Sequence, residues 1–572
     1  MVRFLQPVIA RSLETVIARS LGTVFARCRR AGLCPAAFPR HPTKPGKTRL
    51  YALLFIPTVA FASPFTPLLD ETVQHYPVEG IAMAVIENGQ TTFAATRGEG
   101  ITENTRFKIA SNTKAMTAAV LARLVQRGAL HWNDPVIQHL PQFRMHDPWV
   151  TEHMQVRDLL IHNSGLGLGA GDLMLWPEPN AYTRADIIAG LAHLKPVTSF
   201  RSGYAYDNLM YVVAGEVAAA AAGKPIDVLL QEELFTPLGM SGCQTDPAQT
   251  SLAAGGVRCS LRDMTRWMQV LLDPALAPDW LNAEQRRLLW TAHMPMPLGE
   301  RQRRWDSAHF SAYGYGWRLS DMDGEFKVAH TGTLSGAYSS LALLPDSNAG
   351  AVILINGEGE NARTVLMQAA LKTLIDPGRT SSANQTPRRA TPCVASTHPA
   401  PRDNAPQPPA IPRDNAPSPP AFPRSDAPCA SSTHPDTPQP RRAWLYDYIN
   451  EIESQHATTA QPRPNTSART PAPTTVPWQG IYHDPWLGTA HLCPENGKLR
   501  FRVEKSPRLR GTVMQLDSRW LVQWDTLGAD AEPWLQVSPG TPHTLTLRAI
   551  DPDIDFSYDY QDLHFTRTAS CP

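Results

Sequence analysis

Proline constrains this chain more than any other feature. It supplies 53 of the 572 residues, and 22 of those 53 fall between residues 377 and 477. Proline has no backbone N–H and a fixed φ, so a stretch this rich in it supports neither a long helix nor a sheet ladder. The stretch also repeats with a period of eleven: PRDNAPQPPAI at 401, PRDNAPSPPAF at 412 and PRSDAPCASST at 423. Such a sequence favours extended polyproline conformations and buries no core. It predicts a disordered, Pro-rich spacer over 377–477, with a folded body on each side. A coil of that length spans roughly 50–60 Å, enough for the two bodies to tumble separately. One island interrupts it: AWLYDYI at 443–449 has apolar residues at helical spacing and reads as a short helix docked on a domain. Pro-x-x-Pro spacings arise by chance in such a stretch and imply no partner.

The rest of the composition bounds the function. The chain is 42% hydrophobic and 18% charged, with 53 basic against 52 acidic residues. The apolar content supplies a sizeable core, and the length implies two or three domains. Balanced charge argues against a nucleic-acid binder held by phosphate neutralisation. No apolar run reaches the length of a membrane span. Residues 1–49 hold ten Lys/Arg and one acid, Glu14, with an eight-residue repeat between Val8 and Ala31. LYALLFIPTVAFA at 50–62 follows a basic flank and ends in a small-residue cleavage pattern. Residues 1–62 therefore read as a basic extension plus a secretory signal, and the exported chain starts near Ser63. The expected compartment is the bacterial periplasm or the exterior.

Eight cysteines form no Cys-x-x-Cys pair, so they read as scattered thiols rather than a zinc or iron–sulfur site. In an exported chain, Cys493 with Cys571 is a possible bridge that sequence leaves open. Residues 63–376 alternate helical and strand patterns. Residues 478–568 carry short β-rich runs, LRFRV, WLVQW, TLTLRAI and DFSYDY, separated by turn residues. This is the pattern of a small all-β domain. Its aromatic residues, Trp520, Trp524, Trp534, Tyr558 and Tyr560, read as core filling rather than as a ligand groove.

Chemistry concentrates at FKIASNTK, 107–114. Apolar residues then recur at Met116, Val120, Leu121, Leu124 and Val125, a helical stripe, and Gly128 fits the helix end. Ser111 thus sits at a helix N-terminus, and Lys114 lies one turn on, on the same face. The helix terminus favours negative charge. A buried lysine loses its proton and serves as a base. Ser-x-x-Lys is therefore a self-contained activated nucleophile. Taken singly the pattern is common, and a capping Ser with a surface Lys fits it equally.

Two further motifs give it company. GYAYDN at 203–208 comes first; VAHTGTLSG at 328–336 follows in a run of three strand-like segments that reads as a meander. Ser-x-x-Lys, Tyr-x-Asn and His-Thr-Gly in that order resemble the serine β-lactamase and penicillin-binding superfamily. The nearest likeness is to class C β-lactamases, D,D-carboxypeptidases with His-Thr-Gly, and related esterases. DLLIHNSGL at 158–166, LGM at 238–240, AGG at 254–256 before Ser260 and Asp263, and YGW at 315–317 are similar too. The likeness covers about 65–375. Residues 478–567 look like the small β-domain appended to many such hydrolases.

The resemblance implies a fold and roles. The fold would be an antiparallel sheet flanked by helices, with a helical region bearing Tyr206, in the α/β (α+β) class. Ser111 would be the acylated nucleophile, and Lys114 and Tyr206 would move its proton. Tyr204 competes with Tyr206, but only Tyr206 has Asn at +2. Asn208 would contact the substrate amide and Lys114; its bland rival is a turn residue. His330 and Thr331 would edge the cleft and bind a substrate carboxylate or ester, His330 otherwise being a structural strand histidine. The N–H groups of Ser111 and Thr333 would form an oxyanion hole, with Gly332 letting the strand approach. His162, His193 and His309 read as ordinary histidines. No cofactor is expected, and no His/Cys/Asp cluster has metal-ligand spacing.

Two departures matter. His330 stands where class C enzymes usually have Lys, and a mostly neutral imidazole binds a carboxylate less strongly. That suits a D,D-peptidase or esterase better than an efficient β-lactamase. Asp207 stands where Ser is common; beside Tyr206 it disfavours a tyrosinate, unless it points to solvent. The sequence therefore predicts an exported serine hydrolase cleaving a β-lactam, a D-amino-acid peptide or an ester. The alternative is a non-catalytic wall-peptide or penicillin-binding protein on the same scaffold.

Overall fold

The structure is a computed structural model and describes residues 63–376, 443–459, 468–540 and 542–572. The basic repeats, the signal segment, and the 377–442 and 460–467 portions of the spacer lie outside the described residues.

GIAMAVIE and AGAVILIN carry almost no polar residues, so as strands they must be covered on both faces. They form β1 (Gly80–Glu87) and β8 (Ala349–Asn356), paired antiparallel from Gly80 opposite Asn356 to Ile86 opposite Gly350. With them stand β2 (Gln90–Arg97), β3 (Met294–Pro295), β4 (Ser311–Tyr313), β5 (Arg318–Met322), β6 (Glu325–Leu334) and β7 (Ala337–Leu344). The sheet runs β2-β1-β8-β7-β6-β5-β4-β3, and β6, β7 and β8 are the expected meander. Successive side chains alternate across it. Ile81, Met83 and Val85 pack with α1 (Phe65–His75) and with the long helix Glu360–Ile375. Ala82, Ala84 and Ile86 join the larger core, which holds α2 (Thr113–Gln126), α3 (Leu209–Ala222) and α4 (Leu261–Leu272).

α2 differs from its expected stripe: every residue from Thr113 to Ala122 is buried. Alanines at 115, 118, 119 and 122 let neighbours close in from the side opposite the large residues. Gly128, at φ +71°, ends the helix, and Ala129 N donates to Leu124 O at 3.0 Å.

The island inside the predicted spacer is a 17-residue helix, Ala443–Thr459. Its Leu445, Tyr448 and Ile452 are buried in the core of α1. The Tyr448 ring meets Trp305 edge-on at 5.1 Å, and Glu453 accepts from the Tyr76 hydroxyl at 3.1 Å. The spacer reading over 377–477 is corrected there, because an apolar face at helical spacing found a surface to cover. It is corrected again at Thr470–Pro471, which add to the C-terminal sheet.

That sheet is an antiparallel meander of eight strands from Gly480 to Ala569. Its last strand, Phe565–Ala569, pairs with its first, Gly480–Asp484, so the barrel closes and has no free edge. Trp524 and Tyr560 fill its interior as expected, whereas Tyr558, also expected in the core, lines a cavity. DFSYDY is not a strand. Asp555 accepts from the Ser557 amide at 2.9 Å and turns the chain toward the first domain. The cysteines are not all thiols: Cys243–Cys259 and Cys493–Cys571 are disulfides.

The two bodies share one apolar core, so they do not tumble separately. The Tyr182 hydroxyl donates to Leu487 O at 2.7 Å, Ala181 N to Lys505 O at 2.7 Å, and Lys505 pairs with Asp186 at 2.7 Å.

Candidate active site

Ser111 lies in a single 3-10 turn, Ala110–Asn112, at the entrance of α2. Ala110 holds φ +46°, a conformation costing about 1–2 kcal/mol for a residue with a Cβ. Two bonds brace the turn: Asn112 donates to Ser339 Oγ at 2.8 Å, and Ser339 donates to Ile109 O at 2.7 Å. Gly332 on β6 faces the same turn. A Cβ there would stand 2.3 Å from Ile109 O and 3.0 Å from Ala110 Cβ, so glycine is what lets the strand come this close.

Lys114 is fully buried. Its Nζ donates to Asn208 Oδ1 at 2.6 Å, to Ala254 O at 2.9 Å and to Ser111 Oγ at 3.3 Å. It lies 4.8 Å from the centre of the Tyr206 ring. Burial pulls its pKa down from 10.5 to about 7, with Arg318 in the same direction and Asp172 and Asp207 opposing. An amine with a pKa in that range can shed its proton near neutral pH. Tyr206 is buried and hydrogen-bonds Ser111; burial pushes its phenol up, so it stays protonated.

Asn208 is not a mere turn residue. Its amide bridges Lys114 and Asp172, whose Oδ2 accepts from Nδ2 at 2.8 Å. Asp207 does not point to solvent: it is buried, and its Oδ1 accepts from Leu209 N at 2.9 Å at the start of α3. Burial pushes its carboxyl up to about 6.

A cavity of about 960 Å³ opens over Ser111. Ser111, Tyr206, Asn208, Thr331 and Thr333 line it, and so do Arg508, Phe556 and Tyr558 of the barrel. His330 does not. Strand alternation turns it to the buried face with Val328, where Nε2 meets the Tyr313 hydroxyl at 2.8 Å and Nδ1 meets Thr331 O at 2.7 Å. Desolvation holds its pKa well below the usual value, so it is neutral. The cleft-edge role expected of His330 is thus corrected, while Thr331 and Thr333 take the exposed side.

The buried cation lining the cavity, which also has Lys108, Arg258 and Arg508 in its wall, is Arg318, which the sequence reading missed. β5 pairs it with Ala329, next to His330. Tyr204 lies beside it, its Cζ lies 5.7 Å from the Tyr206 ring centre, and its buried Nε has no hydrogen-bond partner. Among the described residues, no carboxylate forms an ion pair with it. His162 was likewise passed over. It is a core histidine, but its ring packs 4.4 Å from that of Tyr206, and its Nδ1 accepts from Asp207 N at 3.0 Å.

Comparison with known proteins gives the arrangement a family. The Beta-lactamase family model matches residues 65–374. The unguisins hydrolase ungD' of Aspergillus campestris is 25% identical over 328 residues, covering 49% of this chain and 59% of its own length. Penicillin-binding protein 4 of Amycolatopsis lactamdurans is 27% identical, over 50% of this chain and 82% of that protein. The D-alanyl-D-alanine-carboxypeptidase/endopeptidase AmpH of Escherichia coli is 26% identical, over 48% and 79%. The octameric penicillin-binding protein homologue from Pyrococcus abyssi shares the fold at TM-score 0.50 and 15% identity, over 88% of this chain and 99% of that one. Because the family model spans more than half of the 572 residues, the chain belongs to the beta-lactamase family of serine hydrolases and penicillin-binding proteins.

Proposed function

We propose that the chain is an exported hydrolase that cleaves carboxylate-bearing D-amino-acid peptides through an acyl-enzyme on Ser111. The observation behind the chemistry is the Lys114 amine, 3.3 Å from Ser111 Oγ and brought to a pKa of about 7. Ser111 Oγ attacks the substrate carbonyl while its proton passes to Lys114 Nζ. Tyr206, a phenol at neutral pH, donates to the leaving nitrogen and regains its proton from Lys114. The N–H groups of Ser111 and Thr333 receive the oxyanion. Water then attacks the acyl-enzyme by the reverse proton path.

Arg318 supports the substrate class. A desolvated guanidinium without an ion pair suits a carboxylate. Thr331 and Thr333 line the same cavity. The D-alanyl peptidase activity in the name of the AmpH relative points the same way. The two disulfides support export, since such bonds persist in oxidising compartments.

Intact-mass spectrometry tests the reading, with fluorescent penicillin and, separately, a fluorophosphonate, on wild type and Ser111→Ala. A stable penicillin adduct on wild type alone is the expected result. A fluorophosphonate adduct without a penicillin adduct would instead favour an esterase or a fast-deacylating β-lactamase. No adduct with either reagent would sink the hydrolase reading and favour a binding protein.

A further inference from the structure

The reaction above gives no role to Asp172, a buried carboxylate behind Asn208. An amide side chain has one accepting end and one donating end. Asn208 turns Oδ1 to Lys114 and Nδ2 to Asp172 Oδ2, at 2.6 and 2.8 Å. Flipped by 180°, it would set its N–H groups against the lysine and its oxygen against the carboxylate. Burial pushes the Asp172 carboxyl well above the usual carboxylate range; with or without its proton, Oδ2 is the atom that accepts from Asn208 Nδ2, and that selects the orientation placing an acceptor on Lys114.

Asp172 is itself held by the barrel. It sits in a tight turn in which Gly169 N donates to Tyr206 O at 2.9 Å and Gly171 N donates to the Asp559 carboxylate. Ser557 lies beside Asp172, whose Oδ1 is buried without a hydrogen-bond partner. Gly169 has φ +68°, and a Cβ there would lie 2.6 Å from Phe556 O, so the barrel loop packs directly on the turn. Phe556 then reaches the Tyr206 ring edge-on at 5.8 Å.

We infer that Asp172 is a positioning residue for Lys114, acting through Asn208, and that the barrel loop 555–559 holds Asp172 in place. The C-terminal domain is in that case part of the catalytic apparatus. The inference rests on the acyl-enzyme reading. Where its carboxyl is ionised, toward the alkaline end because burial raises its pKa, Asp172 is also the largest influence raising the Lys114 pKa. The other charged or titratable groups around the lysine are Asp207, Arg318, His162 and His330, with the Tyr206 and Tyr211 rings over it.

The test is the rate of fluorophosphonate labelling of the full chain from pH 5.5 to 9, with Ser111→Ala as blank. Asp172→Ala should be slowed roughly tenfold or more, because a reacting group moved out of place costs rate steeply. Asp172→Asn keeps an acceptor but loses the charge, so its acid limb should move to lower pH. Ser557→Ala, a half-exposed hydroxyl deletion, should slow labelling roughly threefold with an unchanged near-UV CD spectrum. If Asp172→Ala fails to fold, the other two variants decide. Wild-type rates and an unmoved acid limb in Asp172→Asn and Ser557→Ala would overturn the inference alone. An unlabelled wild type would bring down the acyl-enzyme reading first.

Discussion

Burying Lys114 destabilises the folded chain wherever the lysine would be protonated. Its pKa falls from 10.5 to about 7. Below pH 7 both folded and unfolded states carry the proton, and the full deficit, ~5 kcal/mol, is present. Between pH 7 and 10.5 only the unfolded state holds it, so stability rises with pH across that window. Lys114→Met lacks this dependence. Its melting temperature relative to wild type should be higher at pH 6 than at pH 9.5, and a constant difference would contradict the buried-ammonium account. The same titration predicts an acid limb near pH 7 in kcat/KM. Arg318 carries a separate expectation. Arg318→Ala should cut kcat/KM roughly a hundredfold for a peptide ending in a carboxylate and spare a neutral ester. Equal losses on both substrates would argue against a carboxylate anchor.

At the scale of elements, Gly332→Ala tests how closely β6 must approach the Ser111 turn. A Cβ 2.3 Å from a backbone oxygen cannot be absorbed by a side-chain rotation. The strand must retreat, at ~1–3 kcal/mol of stability, and acylation should slow at least tenfold. Gly203→Ala meets nothing within 4 Å and serves as the neutral control. Thermal melts and labelling rates on the two variants decide the point.

Elements also explain what sequence made legible. Ser111, in the 3-10 turn that leads into α2, and Lys114, in the first turn of α2, are three residues apart, so local spacing revealed the pair, and the order of motifs extended it to Tyr206 and Asn208. His330 was misplaced because a motif position says which strand a residue is on, not which face it takes. Arg318 was readable in principle. Asp323 and Gly324 both have φ > 0, as a two-residue hairpin turn requires, and Asp-Gly is the usual sequence for it. Pairing Met322 with Glu325 and counting back sets Arg318 opposite Ala329, beside His330. Asp172 and Phe556 offered no such route, since their partners lie 36 and several hundred residues away in the chain.

At the scale of the whole molecule, a proline-rich segment separates the two bodies in sequence, yet they share a core. Trp486 and Tyr560 of the barrel belong to the same apolar cluster as Met174 and Tyr182 of the first domain. Removing either side would expose that surface, so neither body has a complete core alone. The Cys493–Cys571 disulfide reinforces the barrel by tying residues 78 apart, a constraint on the unfolded chain of ~4–5 kcal/mol in the loop-entropy account. These features predict one cooperative calorimetric transition for the oxidised chain, with calorimetric and van't Hoff enthalpies equal. Reduction, or Cys493→Ser with Cys571→Ser, should lower that single transition rather than split it. Two transitions, with only the barrel's shifted by reduction, would mean that the shared core does not couple the bodies. In that outcome the barrel would lose its claim to hold the turn behind Asn208, because a domain that melts separately cannot fix a catalytic lysine in the other.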